Sequence, residues 1–341
     1  MADTAAFPLD PQDAGATALT TDTAYFGAVD APTLIVISSG THGVEGYVGA
    51  ACQFRFMQRE AHRTLPPHVG VLLVHAVNPW GYLHDRRVTE EGIDLNRNFI
   101  DFSEALPSSA YQRYHAQLVD DYRLMPFGLY NRLQLLCHVA GAGRRRRLQA
   151  ALTAGQYDTP GGLFFGGPAP SRSRLVWEGI LRQYGQHRDE ALLLDIHSGL
   201  GKCGHGELIS DLPSASSRFS RLARWFGDEV RSMADGASVS TPLRGTLTSA
   251  FADTIGVPAD AVGLEFGTRA PLHVLDALRA DHWAASKPAS TASRRQAAPD
   301  ESGICACQCP LACAGNFPVR PRHRSGNCQR PSRGVIDRFV P

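Results

Sequence analysis

Thr33-Leu34-Ile35-Val36-Ile37-Ser38-Ser39-Gly40-Thr41-His42-Gly43-Val44-Glu45 opens on an apolar, β-branched run and closes on a histidine and a carboxylate three residues apart. The run reads as a strand buried on both faces, as in the interior of a parallel sheet. A His–Glu pair just past a strand end can grip one metal ion from a single turn. Alone the pair is weak evidence, because turn histidines are common and helix dipoles favour acids in a first turn. A second run far downstream, Leu192-Leu193-Leu194-Asp195-Ile196-His197, also ends in a histidine. Two histidines and one carboxylate leave a coordination position open, as catalytic rather than structural zinc sites do.

Further apolar runs predict strands over residues 69–77, 191–197 and 261–266 beside Thr33–Ser39. Segments with helical spacing lie between them, notably 46–59 and 219–233; in the second, Leu222, Phe226 and Val230 recur every four residues. Such alternation predicts an α/β fold with a mainly parallel mixed sheet flanked by helices. Ligands in these sheets bind outside the carboxyl ends of the strands. His42, His197 and Glu265 all fall at such ends.

Residues 100–186 are mixed in character and read as a helical and loop insertion on the sheet, a lid or pocket wall. Within it, 111–122 and 130–139 have helical spacing, 159–173 is a Gly/Pro-rich loop, and the arginine run 144–147 reads as a solvated helix face. Gly161-Gly162 and Gly166-Gly167 lack the following Gly-Lys-Ser/Thr of a phosphate loop. The expected division is an N-terminal segment 1–24, a catalytic domain 25–285, and a tail 286–341. The tail holds five of the eight cysteines, but Cys305, Cys307, Cys309 and Cys313 are too crowded for a zinc site. It is expected to be disordered or out of frame.

At 341 residues, 43% hydrophobic and 20% charged, the chain has ample material for a core. A net charge of +1 supplies no field for nucleic acid or anionic lipid. No run approaches the length of a membrane span, and residues 1–26 show no basic start followed by an apolar core. The expected location is the cytoplasm; the isolated Cys52, Cys137 and Cys203 fit a reducing compartment. Nothing in the sequence bears on oligomeric state.

A third block follows the 69–77 run: Asn78-Pro79-Trp80-Gly81, Arg86-Arg87, then Asp94-Leu95-Asn96-Arg97-Asn98-Phe99. The order His-x-x-Glu, Asn-Pro-x-Gly, Arg, Asp-Leu-Asn-Arg-Asn-Phe, Asp-x-His, Leu-Glu-Phe-Gly-Thr resembles the zinc carboxypeptidase superfamily. The flanks Ser38-Ser39-Gly40-Thr41-His42-Gly43-Val44-Glu45-Gly46 and His205-Gly206-Glu207-Leu208-Ile209 resemble an uncharacterised bacterial branch of it. The likeness covers roughly residues 25–283.

That resemblance implies one zinc ion per chain on His42, Glu45 and His197. It implies Glu265 as general base, Arg87 (with Arg86 as a close rival) polarising the scissile carbonyl, and Asn96 with Arg97 binding a substrate carboxylate. The activity it implies is hydrolysis of an amide bond in a small peptide or acylated amino acid. Three readings stand: a carboxypeptidase-like hydrolase, an N-acyl amino acid deacylase of the aspartoacylase or succinylglutamate desuccinylase type, and an inactive metal-binding pseudo-enzyme. One departure favours the deacylase. Classical carboxypeptidases carry a tyrosine between the last zinc histidine and the catalytic glutamate, and none lies between His197 and Glu265. Asp195 is read equally as an orienting partner for a ligand or as a structural acid. His205 is read equally as a pocket residue or a surface turn, and His62, His68, His75 and His84 as structural or surface residues.

Overall fold

Strands of alternating burial make one mixed sheet. The computed structural model describes residues 2–12, 18–104, 106, 111–119, 149, 150 and 152–285. Its strands are β1 (Asp3–Pro8), β2 (Thr20–Phe26), β3 (Thr33–Ser39), β4 (Val69–His75), β5 (Glu190–Gly199), β6 (Gly206–Ser210), β7 (Val230–Ser232) and β8 (Ala259–Gly267). They lie in the order β1-β2-β4-β3-β5-β8-β6-β7. The central four, β4-β3-β5-β8, are parallel. β2 joins β4 and β6 joins β8 antiparallel, so each flank of the parallel core turns the other way.

The helices are α1 (Gly46–Gln58), α2 (Pro79–Leu83), α3 (Gln112–Leu118), α4 (Arg172–Gly185), α5 (Ser217–Phe226), α6 (Leu247–Ile255) and α7 (Pro271–Ala285). Successive strand residues face opposite layers. Leu34, Val36 and Leu193 pack with Trp177, Ile180 and Leu181 of α4 and with Leu247, Phe251 and Ile255 of α6. Leu194, Ile196, Val262 and Leu264 face the other way, onto Val48 and Cys52 of α1 and Leu222 of α5. This is the α/β architecture that the alternating runs imply.

Three stretches differ from the sequence expectation. The predicted helix 219–233 stops at Phe226, and Val230 begins β7. Gly227, at φ +67° and ψ −156°, takes a conformation that ends a helix, so the four-residue repeat through Val230 is not helical. The expected insertion is too long at its carboxyl end, because α4 is a core helix. Its Trp177, Ile180 and Leu181 are fully buried, a burial worth about 1.5–3 kcal/mol for each large apolar side chain. The sheet also starts before residue 25, since β1 and β2 pair with each other and β2 with β4. The segments 130–139 and 144–147 and the tail from 286 lie outside the described residues, as do Cys137 and part of 111–122, of which α3 is described.

Parallel strands bring their carboxyl ends to one rim. His197 and Glu265 are register partners across β5 and β8 and therefore project from the same face. Asp195, two residues earlier, shares that face.

Candidate metal centre

The turn after β3 places His42 and Glu45. Gly40 leaves the strand at φ +71°, and a Cβ there would lie 2.8 Å from the Ala76 Cβ. Backbone bonds from Val77 N to Ser39 O (3.0 Å) and Asn78 N to Gly40 O (2.9 Å) tie this turn to the chain leaving β4. Asn78 then caps α2, its side chain accepting from Gly81 N at 2.9 Å. The α2 backbone presses on the turn so closely that a Cβ on Gly43 would overlap Gly81 and Tyr82. Val44 N donates to Arg86 O at 3.0 Å. Gly43–Glu45 forms a single 3-10 turn that runs into α1 and turns the Glu45 carboxylate inward.

His42, Glu45 and His197 are all buried, and one potential ligand atom from each lies within 4.8 Å of the others. His197 Nδ1 stands 3.2 Å from Glu45 Oε2. Tetrahedral zinc with bonds of about 2.0–2.1 Å separates its ligand atoms by about 3.3 Å, so this pair already has the spacing of co-ligands. The second oxygen, Glu45 Oε1, accepts from Arg87 Nη1 at 3.0 Å, while Ser198 N donates to Oε2 at 3.0 Å.

Each histidine has one ring nitrogen beside a buried aspartate and the other turned to the cluster. His197 Nε2 is 2.6 Å from Asp195 Oδ2. Asp195 is fully buried and is itself held by Ser38 Oγ (2.7 Å) and Thr41 Oγ1 (2.9 Å). His42 Nδ1 lies 3.5 Å from Asp94 Oδ1 and makes no hydrogen bond although it is buried. His42 Nε2 meets Arg87 Nη2 at 2.7 Å. Carboxylates behind imidazoles fix tautomer and ring orientation in metal sites. The donor set and its spacing fit a divalent cation bound by two imidazoles and a carboxylate.

The electrostatics point the same way. Among the described residues around the cluster, the acids Glu45, Asp94, Asp195 and Glu265 outnumber the guanidiniums of Arg87 and Arg97 by two. Burial drives Glu265 upward, and Glu45 adds to it, so its carboxyl reaches about 8. Burial lowers His197, but Asp195 and Glu45 outweigh it and hold the imidazole well above its ordinary value. Burial also raises Glu45, yet His42, His197 and Arg87 together bring it to about 2. His42 is held well below its ordinary value by burial and by Arg87. Protons on His197 and Glu265 thus offset charge that a dication would otherwise balance.

The remaining expected residues are also here. Glu265 is partly buried on β8, its Oε1 accepting from Leu200 N at 3.1 Å. Arg87 points into the cluster, with Nε on Asp94 Oδ2 at 3.1 Å. Arg86 points away, to Asp281 on α7 at 2.9 Å. Asn96 Oδ1 accepts from Leu247 N at 2.8 Å. Arg97 is 2% exposed, and among the described residues its hydrogen-bond donors meet backbone oxygens, Thr153 O and Asn96 O. His205 is exposed in a turn, outside the cluster.

Sequence reasoning gave no role to Asp94, although it opens the Asp-Leu-Asn-Arg-Asn-Phe motif. It bridges Arg87, His42 and Asn96 N. It also missed Phe164, whose ring lies 5.7 Å from the Arg87 guanidinium and 5.9 Å from that of Arg97. Tyr157, in the same loop region, donates to Arg97 O at 2.6 Å. Both residues lie within the 100–186 stretch.

Residues 1–302 match the family described as "Protein of unknown function (DUF2817)". The chain belongs to that family. Among curated proteins no match is found. Solved structures similar to this DUF2817 chain include a protein of Shewanella amazonensis described as of the succinylglutamate desuccinylase/aspartoacylase family. It is 18% identical, with 82% of this chain and 70% of that one covered and a TM-score of 0.39. Carboxypeptidase A of Helicoverpa armigera is 13% identical over 89% and 69%, with a TM-score of 0.43. Murein-tripeptide amidase of Escherichia coli O157 is 15% identical over 87% and 92%, with a TM-score of 0.36. The chemistry assigned to this chain rests on its own side chains.

Proposed function

We propose that this DUF2817 chain is a zinc-dependent hydrolase that cleaves an amide bond in a peptide or amino-acid conjugate bearing a free carboxylate. The observation that carries this reading is the buried His42–Glu45–His197 group with Glu265 beside it in register on the neighbouring strand. Zinc held by those three side chains would supply a water of lowered pKa and a Lewis-acid contact for the scissile carbonyl. Asp195 keeps His197 in the tautomer that offers Nδ1, and Asp94 stands behind His42.

Glu265 removes the proton from the attacking water and returns it to the leaving nitrogen, the task of a carboxylate placed beside the metal site. Arg87 donates to the carbonyl oxygen as negative charge builds there, an effect worth about 3 kcal/mol for one well-placed donor. Asn96 and Arg97 hold the substrate carboxylate. Arg97 suits this because it is buried without an ion pair among the described residues. The setting we infer is cytoplasmic; no described helix is long and apolar enough to cross a membrane.

A second reading, deacylation of N-acyl amino acids, is favoured by the lack of a tyrosine between His197 and Glu265. Substrate panels separate the two, since a deacylase takes short acyl amino acids and a peptidase takes longer peptides. The common mechanism is tested by Glu265→Gln. The variant is expected to bind zinc as the wild type does and to lose turnover by about 100-fold or more. Wild-type turnover in that variant would remove Glu265 from the chemistry.

A further inference from the structure

One half-buried acid near the site is unused by this mechanism. Strand β6 runs antiparallel to β8, and Glu207 is the register partner of Glu265, so both project from the same face. Asp211 follows the end of β6 at the same parity as Glu207. Its Oδ2 accepts from Thr248 Oγ1 at 2.7 Å and from Thr246 Oγ1 at 3.2 Å. The next residue after Thr246 is Leu247, whose N–H donates to Asn96 Oδ1. One peptide unit therefore separates the Asn96 amide from the Asp211 carboxylate.

Gly245 packs on the Arg97 carbonyl, closing the same wall. Arg97 and Asp211 act electrostatically on each other. Asp211 forms no ion pair among the described residues. Its second oxygen accepts no hydrogen bond there, and it is not among the sealed polar atoms that lack a partner. A carboxylate with one open oxygen thus lies beside the groups proposed to hold a substrate carboxylate. A cation brought by the substrate would satisfy it.

We propose that Asp211 is a specificity-determining residue: it accepts a hydrogen bond from a positively charged side chain on the same residue whose carboxylate Asn96 and Arg97 hold. The substrates are then conjugates of basic amino acids, of the arginine or lysine class. This rests on the carboxylate-binding role proposed for Asn96 and Arg97. The competing account is structural, with Asp211 as a counter-charge to Arg97 near the start of α6.

The test titrates the zinc-loaded full chain calorimetrically with two matched pairs of free amino acids. L-arginine is compared with its neutral isostere L-citrulline, and L-lysine with L-norleucine. The cationic member of each pair is expected to bind about tenfold tighter or better. In Asp211→Asn, whose side-chain oxygen can still accept from the two threonines, the ratio within each pair falls toward one. Asp211→Glu retains more of the preference than Asp211→Asn. A wild-type ratio of one overturns the proposal without any variant. So does a ratio that Asp211→Asn leaves intact, or a change in that variant that is equal for all four ligands. Failure of all four amino acids to bind refutes the carboxylate-binding role and the inference with it, whereas binding without preference refutes the inference alone.

Discussion

Adding zinc to the metal-free protein should release protons, and Glu265 should set part of the number. Two negative charges in excess surround His42, Glu45 and His197, and the protein offsets them with protons on His197 and Glu265. The Glu265 carboxyl, lifted to about 8 by burial and by Glu45, binds about 0.9 proton at pH 7 and about 0.1 at pH 9. A ligating imidazole has no proton on its metal-bound nitrogen, so the extra proton of His197 also leaves. The wild type should therefore release about two protons at pH 7, in addition to any from ionisation of bound water. The Glu265→Gln variant should release about one fewer at pH 7, and the gap should shrink to about 0.1 by pH 9. The direction follows from the sign of the shift: an acid with a raised pKa holds its proton until the pH climbs through that value, and thereafter has none to give. Calorimetric titration with zinc, repeated at one pH in buffers of different ionisation enthalpy, counts the protons. Equal release by the two proteins at pH 7, or a gap that persists at pH 9, would refute this account of the site.

Two further outcomes follow from the surroundings of the ligands. Asp195→Asn removes the carboxylate that orients His197 Nε2 and should weaken zinc binding by about 10- to 100-fold in chelator competition; unchanged affinity would make Asp195 a purely structural acid. Gly43→Ala forces a Cβ into the Gly81–Tyr82 backbone and should cost about 1–3 kcal/mol of stability, read as a lowered Tm, together with weaker zinc binding. A wild-type Tm in that variant would mean that the turn between His42 and Glu45 yields without cost.

The central sheet was legible because its strands are apolar enough to be buried on both faces. The run from Thr33 to Ser39 coincides with β3. The three candidate ligands were legible because two of them sit within one turn and the third closes a similar run. What stayed hidden depends on partners distant in sequence. Arg86 and Arg87 are adjacent and chemically identical, and only packing against α7 sends Arg86 to Asp281 while Arg87 enters the cluster. Asp211 looks like any acid after a strand until Thr246 and Thr248 are brought beside it. β1 escaped because Ala5 and Ala6 give no apolar alternation, though Phe7 packs against the core. The helix expected through Val230 shows the opposite failure. A four-residue spacing persisted across Gly227, whose backbone conformation ends the helix at that point.

Arg87 links the metal-binding and catalytic halves of the proposed mechanism. Its guanidinium donates through Nη1 to Glu45 Oε1 and meets His42 Nε2 through Nη2, so it occupies the lone pair by which His42 would bind a metal. Its Nε stays on the fully buried Asp94. His42 Nε2 cannot serve both partners at once, whereas Glu45 can offer Oε2 to a metal and keep Oε1 on Arg87. With His42 committed to zinc, Arg87 would lose one acceptor and keep two, remaining anchored by Asp94 and Glu45 with Nη2 released. That nitrogen is the donor that the scissile carbonyl requires. The oxyanion-stabilising group would thus become available together with the activated water. Lysine could not take this part, because a single ammonium lacks the planar fork that anchors through two nitrogens while donating through the third.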